Sequence, residues 1–358
     1  MKPLIRAIID PGALRRNLAR VRDVASRSRI MAVIKANAYG HGVVTAARAL
    51  SAADAFAVAR IEEGLALRVA GFGHRILLLE GVFGTEQLDA ALEHRFDLMV
   101  HSFEQLQLLE GGLSGRAVSA WIKIDSGMNR LGFRPEQFAD AYDRLRRVPG
   151  VEPDPTLVTH LASADDRGDS MTEAQLTIFE RVTEGLPGSR SIANSAAVLA
   201  WPRTHADWVR PGLMLYGISP FPDGSGLDIG LQPAMALETE VIAVKTVRKG
   251  ETVGYGGCWR AARETRMAVA AVGYGDGYPR GTPSGTAVHV SGRSAPLIGS
   301  VSMDMIALDV TGLPPVAVGD AVTLWGRDLP VEELARRAGT IPYELICGVS
   351  QRVQHQLR

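Results

Sequence analysis

The sequence predicts an α/β protein, a (β/α)8 TIM barrel followed by a mostly β C-terminal domain, and three observations lead there. From the N-terminus to about residue 215, eight short apolar runs rich in Val, Ile and Ala alternate with longer segments of helical periodicity. Between 217 and 233 the stretch GISPFPDGSGLDIGLQP interrupts all periodicity with Pro and Gly, as expected of a domain junction. Beyond about residue 230 the runs become short, β-branched and turn-punctuated, with no long helical segment until VEELARRAG near the end. The expected division is therefore a barrel domain over 1–225 and a β domain over 226–358.

Taken in order, IDPGALRRNLARVRDVA offers Asp10 as N-cap and Pro11 as the first residue of a helix. The apolar runs then follow as MAVIKA, AFAVA, ILLLE, DLMV, AWIKID, TLVTHL, RSIANS and DWVRPGLMLYG. Amphipathic segments such as SFEQLQLLEGG and PEQFADAYDRLRRV separate them, the latter with Pro135 at a first helical position. Eight near-continuous apolar strands, each with a helix after it, fit a closed barrel better than an open sheet. Repetition alone does not show closure, so a doubly wound sheet is the alternative. ALETEVIAVKTVRKGE, RMAVAAVGYGDGYPRG, GTAVHVSGRSAPLIG and MIALDVTGLPPVAVGDAVTLWG supply the strands of the second domain.

The chain has 358 residues, 46% hydrophobic and 22% charged, which is ordinary for a globular protein with a sizeable core. Lys+Arg and Asp+Glu both number 39, so no net field favours nucleic acid or an anionic membrane, and a small-molecule ligand is the default. The opening residues lack the apolar core of a secretory signal, and no stretch approaches a membrane span, which predicts a cytoplasmic protein. Cys258 and Cys347, the only cysteines, read as free packing thiols, and no metal site is expected.

In a barrel the active site gathers at the C-terminal ends of the strands. Lys35 stands at the end of the first run with Tyr39 behind it. Lys123, Asp125 and Arg130 lie at and after the fifth, His160 closes the sixth, Asn194 and Ser195 close the seventh, and Arg210, Pro211 and Gly212 lie on the eighth. A lysine on a strand is ordinarily a snorkelling surface cation. Held in an apolar strand end, however, its ammonium form is disfavoured, which prepares the amine for Schiff-base chemistry with an aldehyde. Pyridoxal phosphate is the aldehyde that fits, provided a phosphate site exists. NSAA and PGL stand in the loops after the seventh and eighth strands, where barrels often bind phosphate, although each string alone is more often an ordinary turn. Singly, His160 reads as a core histidine, Tyr255 as cross-strand packing and Arg130 as a solvated cation. The other histidines, His41 among them, read as structural.

Together the residues resemble the pyridoxal-phosphate-dependent alanine racemases over essentially the whole chain, through AVIKANAYGHG, IKIDSGMNRLGF, THLASAD, NSAA, VRPGLMLYG, VGYGGCW, VGYGDGY and GSVSMDM. The resemblance implies a homodimer in which each active site takes the barrel mouth of one subunit and β-domain residues of the other. It implies that Lys35 forms the covalent imine with the cofactor and serves as one base, and that Tyr255 is the second base, from the partner. It further implies that Arg210 faces the pyridine nitrogen and that His160 links Arg210 to the tyrosine. Tyr39, Ser195, Gly212, Leu213 and Tyr343 match the phosphate-binding set, with Asn194 beside them. Arg130 and the Met303 amide match the substrate-carboxylate contacts, and Lys123 the lysine that the family can carry as a carbamate. Tyr274 and Tyr343 match the aromatics that narrow the substrate entrance. Ser302 departs from the cysteine often found before that methionine, which bears on pocket size and oxidation sensitivity.

Racemisation passes through a planar carbanion, so one proton leaves one face and another arrives on the opposite face, and two bases are needed. Tyrosine, with a pKa near 10, needs cationic surroundings to act as one. A decarboxylase of this architecture would want an acidic partner at the pyridine nitrogen, against Arg210. A broad-specificity racemase tends to be exported, and a non-catalytic pyridoxal-phosphate carrier would resemble the barrel alone. Small size of the substrate side chain, as in alanine, is expected.

Overall fold

Runs of Val, Ile, Leu and Ala without polar alternation bury both faces, and in the computed structural model, which describes residues 3–113 and 115–358, they do so by closing on themselves. Strand β1 (Arg6–Ile9) comes first. The barrel strands are β2 (Arg29–Val33), β3 (Ala55–Val58), β4 (Arg75–Leu78), β5 (Asp97–Val100), β6 (Ala120–Lys123), β7 (Thr156–Val158), β8 (Arg190–Ser191) and β9 (Trp208–Val209). They are parallel and in sequence order, and β2 pairs with β9 through Ile30 and Val209 to close the ring. Closure removes the doubly wound alternative.

The strands are shorter than the apolar runs. β2 ends at Val33, so Lys35 is not its last residue but the first of the turn beyond it, and the eighth run forms strand only over Trp208–Val209. The helix Pro11–Val24 starts as expected, with the Asp10 carboxylate accepting from the Ala13 amide at 3.0 Å. Helices Phe103–Gly112 and Pro135–Arg147 occupy the two amphipathic segments.

The second domain contains β10 (Met235–Val247), β11 (Thr252–Val253), β12 (Trp259–Arg260), β13 (Thr265–Ala270), β14 (Ala287–Val290), β15 (Arg293–Ile298), β16 (Ile306–Asp309), β17 (Ala321–Trp325) and β18 (Gln354–Leu357). Its main sheet has the order β13-β16-β15-β14-β17-β10-β1-β18, and β13 also pairs with β10, so six strands curl back on themselves. β1 lies between β10, antiparallel with Arg6 opposite Glu238, and β18, parallel with Arg6 opposite Gln354. The first strand of the chain thus belongs to the second sheet, a correction to placing all of 1–225 in the barrel domain. Asn17 fastens the junction from the first helix: its amide donates to the Leu215 and Gln232 carbonyls, and its carbonyl accepts from the Gln232 amide. No described helix is long and apolar enough to cross a membrane.

Candidate active site

The C-terminal ends of the barrel strands open onto a cavity of about 770 Å³, within the range of small-molecule sites. It is lined by Lys35, Tyr39, Lys123, Arg130, His160, Asn194, Ser195, Arg210, Gly212 and Leu213, which stand at strand ends or in the resembling motifs, and by Tyr343, which the resemblance alone implied. Tyr343 comes from the helix Pro342–Cys347 of the second domain, which reaches the mouth of its own barrel.

The segment after β2 is unusual. Ala36, Asn37, Ala38 and Tyr39 all have positive φ, between 51 and 54°, making one left-handed turn between Lys35 and Gly40. Each such non-glycine residue costs roughly 1–2 kcal/mol, so the surroundings must hold the turn. Glu63 does part of this. One carboxylate oxygen accepts from the Ala36 amide at 2.6 Å and the other from the Ala59 and Arg60 amides at 2.9 and 3.2 Å. The Asn37 side-chain oxygen accepts from the Val43 amide, and at Gly40, with φ of +79°, any Cβ would collide with the Ile346 carbonyl. The Tyr39 ring stacks on Tyr216 at 4.7 Å, and the Tyr216 hydroxyl donates to the Val33 carbonyl.

Across the cavity, Asn194 caps the short helix Ser195–Ala200 by accepting from the Ala197 amide. Ser195 Oγ accepts from the Gly212 and Met214 amides at 2.9 and 3.3 Å, tying together the loops after β8 and β9. A Cβ on Gly212 would lie 2.5 Å from the Tyr39 hydroxyl, so only glycine leaves this polar cradle open. Burial, with Tyr343 and Cys347 nearby, pushes the Tyr39 phenol pKa up, and burial raises that of Tyr343 as well. Both remain protonated donors.

The third wall is cationic. The buried Arg210 donates to Ser191 Oγ and the Thr159 carbonyl at 2.6 Å, to the Ile192 carbonyl at 3.3 Å and to His160 Nδ1 at 3.4 Å. Burial lowers its pKa to about 10, which leaves it charged at neutral pH. Burial and then Arg210, Lys123, Arg130 and Lys35 hold His160 well below the usual imidazole value. A neutral ring whose Nδ1 accepts from arginine carries its proton on Nε2. Lys123, also buried, is lowered to about 8 by burial, then by Arg210 and Arg130. The Asp125 carboxylate accepts from the Gly127 and Asn129 amides and so shapes the loop that presents Arg130.

Tyr255, Tyr274, Ser302 and Met303 do not line this cavity. Tyr255 is 73% exposed on the turn 255–257, and Tyr274 and Met303 are 43% and 52% exposed. The Tyr274 and Gly275 amides donate to the Ser302 and Met303 carbonyls, which holds these two exposed segments of the β domain together. The two cysteines correct the packing expectation. Both are free and exposed; Cys258 contacts Ser300 Oγ at 3.1 Å, and Cys347 lines the cavity beside Lys35 and Tyr39. Glu63 and Tyr216 escaped the sequence reading because neither stands at a strand end.

A closed barrel with a lysine on a strained turn, a polar cradle and a buried arginine at its mouth, followed by a β domain, defines a class of two-domain barrel proteins with a small-molecule cavity at the barrel mouth. Family models described as the alanine racemase N-terminal domain and C-terminal domain match residues 9–220 and 234–357. The chain belongs to the alanine racemase family, and its activity is that of an isomerase, a racemase. It is 53% identical to an alanine racemase of Nitrosococcus oceani over 97% of this chain and 98% of that one. Against an alanine racemase of Shewanella amazonensis the identity is 48%, over 99% of each chain. The crystal structure of a biosynthetic alanine racemase from Pseudomonas aeruginosa superposes with a TM-score of 0.96 at 44% identity, covering 100% of both chains.

Proposed function

We propose that the chain interconverts L-alanine and D-alanine with pyridoxal 5'-phosphate, as a homodimer whose active sites each combine one copy's barrel mouth with Tyr255 of the other. The observation that carries this reading is the separation of the chemistry: Lys35 and the cradle share one cavity, while Tyr255 is exposed on the β domain. Residues present at the mouth fit the cofactor. The gap kept open by Gly212 beside the Tyr39 hydroxyl, Ser195 Oγ, the Leu213 segment and Tyr343 suit a phosphate, with Asn194 fixing the helix start. When bound, the cofactor supplies an aldehyde for the Lys35 amine and a conjugated ring that spreads charge from the substrate α-carbon.

Lys35 holds and moves a proton on one face of that carbon. Tyr255 of a second copy does so on the other. His160, with its proton on Nε2, can donate to the tyrosine oxygen and favour its anionic form, and Arg210 holds His160 in that tautomer. Arg210 stays charged and keeps its protons, so it would donate a hydrogen bond to a ring nitrogen set against it without protonating it, which would limit charge spreading and favour reprotonation over transamination or decarboxylation. Arg130 and the Met303 amide bind the substrate carboxylate, Lys123 as a carbamate accepts from Arg130, and Tyr274, Tyr343 and Ser302 keep the space small. The relative described as biosynthetic favours supply of D-alanine for peptidoglycan over catabolism. Proton NMR of L-alanine in D2O with the protein and pyridoxal phosphate tests the reading: loss of the α-proton with appearance of D-alanine is expected, and an unchanged α-proton in cofactor-loaded protein refutes it.

A further inference from the structure

His41 follows the left-handed turn, just past Gly40, and is 1% exposed. Its Nδ1 lies 2.9 Å from the Tyr39 carbonyl oxygen and 3.1 Å from that of Ala38. Carbonyls only accept, so Nδ1 carries the ring proton and Nε2 presents a lone pair. That Nε2 is buried and has no hydrogen-bond partner among the described residues. Burial lowers the ring's pKa to about 4, so it stays neutral at ordinary pH.

Trp325, the last residue of β17, is also 1% exposed, and its Nε1–H is likewise without a partner among the described residues. His41 and Trp325 line the same small cavity between barrel and β domain, with Tyr216, Pro233, Met235 and Glu332 around it. Glu332 Oε1 is engaged by the Ser219 and Gly226 amides. The cavity measures about 10 Å³, on the order of what one water needs. Its lining thus includes an acceptor that cannot donate and a donor that cannot accept.

We propose that this cavity holds one internal water, accepting from Trp325 Nε1–H and donating to His41 Nε2, and that His41 is a positioning residue through which the β domain fixes the Lys35–Tyr39 turn. The chain of contacts is continuous. Trp325 holds the water, the water holds the imidazole, and the imidazole holds the carbonyls of Ala38 and Tyr39. Tyr216 is packed between His41 at 4.6 Å and Tyr39 at 4.7 Å, so a tilt of the imidazole is passed to the Tyr39 ring. Its consequence for catalysis rests on the roles proposed above for Lys35 and Tyr39; the water itself does not.

A crystal structure of the holoenzyme at a resolution that orders internal waters is the first test. One water within hydrogen-bond reach of both nitrogens is expected, and an empty cavity overturns the proposal. Trp325→Phe keeps an aromatic ring on β17 and removes the donor. It should lower kcat roughly three- to tenfold with KM for alanine little changed, and should speed cofactor release, since the turn is loosened rather than the substrate contacts. His41→Asn, whose amide can still donate to the carbonyls, should retain more activity than His41→Leu. Wild-type kcat and cofactor retention in Trp325→Phe would overturn the positioning role even with the water in place. Should Lys35→Ala keep the cofactor's imine absorption band, the reading of Lys35 would fail while the water stood.

Discussion

Among single residues, Lys123 is the one whose chemistry the fold changes in the most testable way. Burial with Arg210, Arg130 and Lys35 nearby lowers its pKa from 10.5 to about 8, so a useful fraction is neutral amine near physiological pH and can add carbon dioxide. With 13C-labelled bicarbonate, wild type should show a carbamate resonance that Lys123→Met lacks. The variant should raise KM for alanine roughly three- to tenfold, because Arg130 loses the anion beside it. The unmodified lysine has a stability signature of known sign. Its folded pKa lies below the unfolded one, so the unfolded chain binds more protons between about pH 8 and 10.5, and stability rises with pH there. In carbonate-free buffer the Tm of wild type minus that of Lys123→Met should increase across this window. A flat difference would mean that Lys123 is solvated.

The two proposed bases make a second prediction at this scale. Tyr255→Phe removes only the proton carrier of one face. α-Proton exchange from L-alanine should then fall by roughly 10²–10⁴, and exchange from D-alanine much less, if Lys35 serves the D face. Equal losses in the two directions would refute that assignment. Neither expectation depends on packing, since Tyr255 is exposed in the single chain.

At the scale of elements, the left-handed turn is where strain and site coincide. Glu63→Ala deprives the Ala36, Ala59 and Arg60 amides of their acceptor and should destabilise the protein by roughly 2–4 kcal/mol, with weaker cofactor retention. Thermal unfolding and cofactor titration by absorbance check both parts; a wild-type cofactor affinity would show that the turn holds without Glu63. This turn was not legible in the sequence. Two alanines, an asparagine and a tyrosine carry little signal for positive φ, and only the flanking Gly40 and Gly42 hint at it. The barrel strands were legible because continuous apolar runs have no other burial. Their ends were not, since pairing stops where the loops turn into the mouth. β1 was missed for another reason. Four residues, RAII, find partners in β10 and β18, more than 200 positions away, and nothing local announces that pairing. Tyr343 was legible only through the family resemblance, whereas Cys347 reaches the same cavity only because a short helix of the β domain is laid over the barrel mouth.

On the scale of the whole molecule, a single chain presents half of the proposed machinery in a cavity and the other half on an exposed apolar end, where Tyr255, Tyr274, Met303 and Met305 are all solvent-facing. Such exposure of large side chains on one face is expected of a surface that a second copy covers. If the site is shared, two inactive variants complement each other. In a mixed dimer of Lys35→Ala and Tyr255→Phe chains, one site carries both defects, and the other has an intact Lys35 facing an intact Tyr255. Random assembly from equal amounts makes half of the dimers mixed, each with one working site of two, so co-expression should restore about one quarter of wild-type activity. Each variant alone should stay near its own low level. Were both bases drawn from one chain, every chain in the mixture would carry a defect, and the activity would not exceed the mean of the two variants.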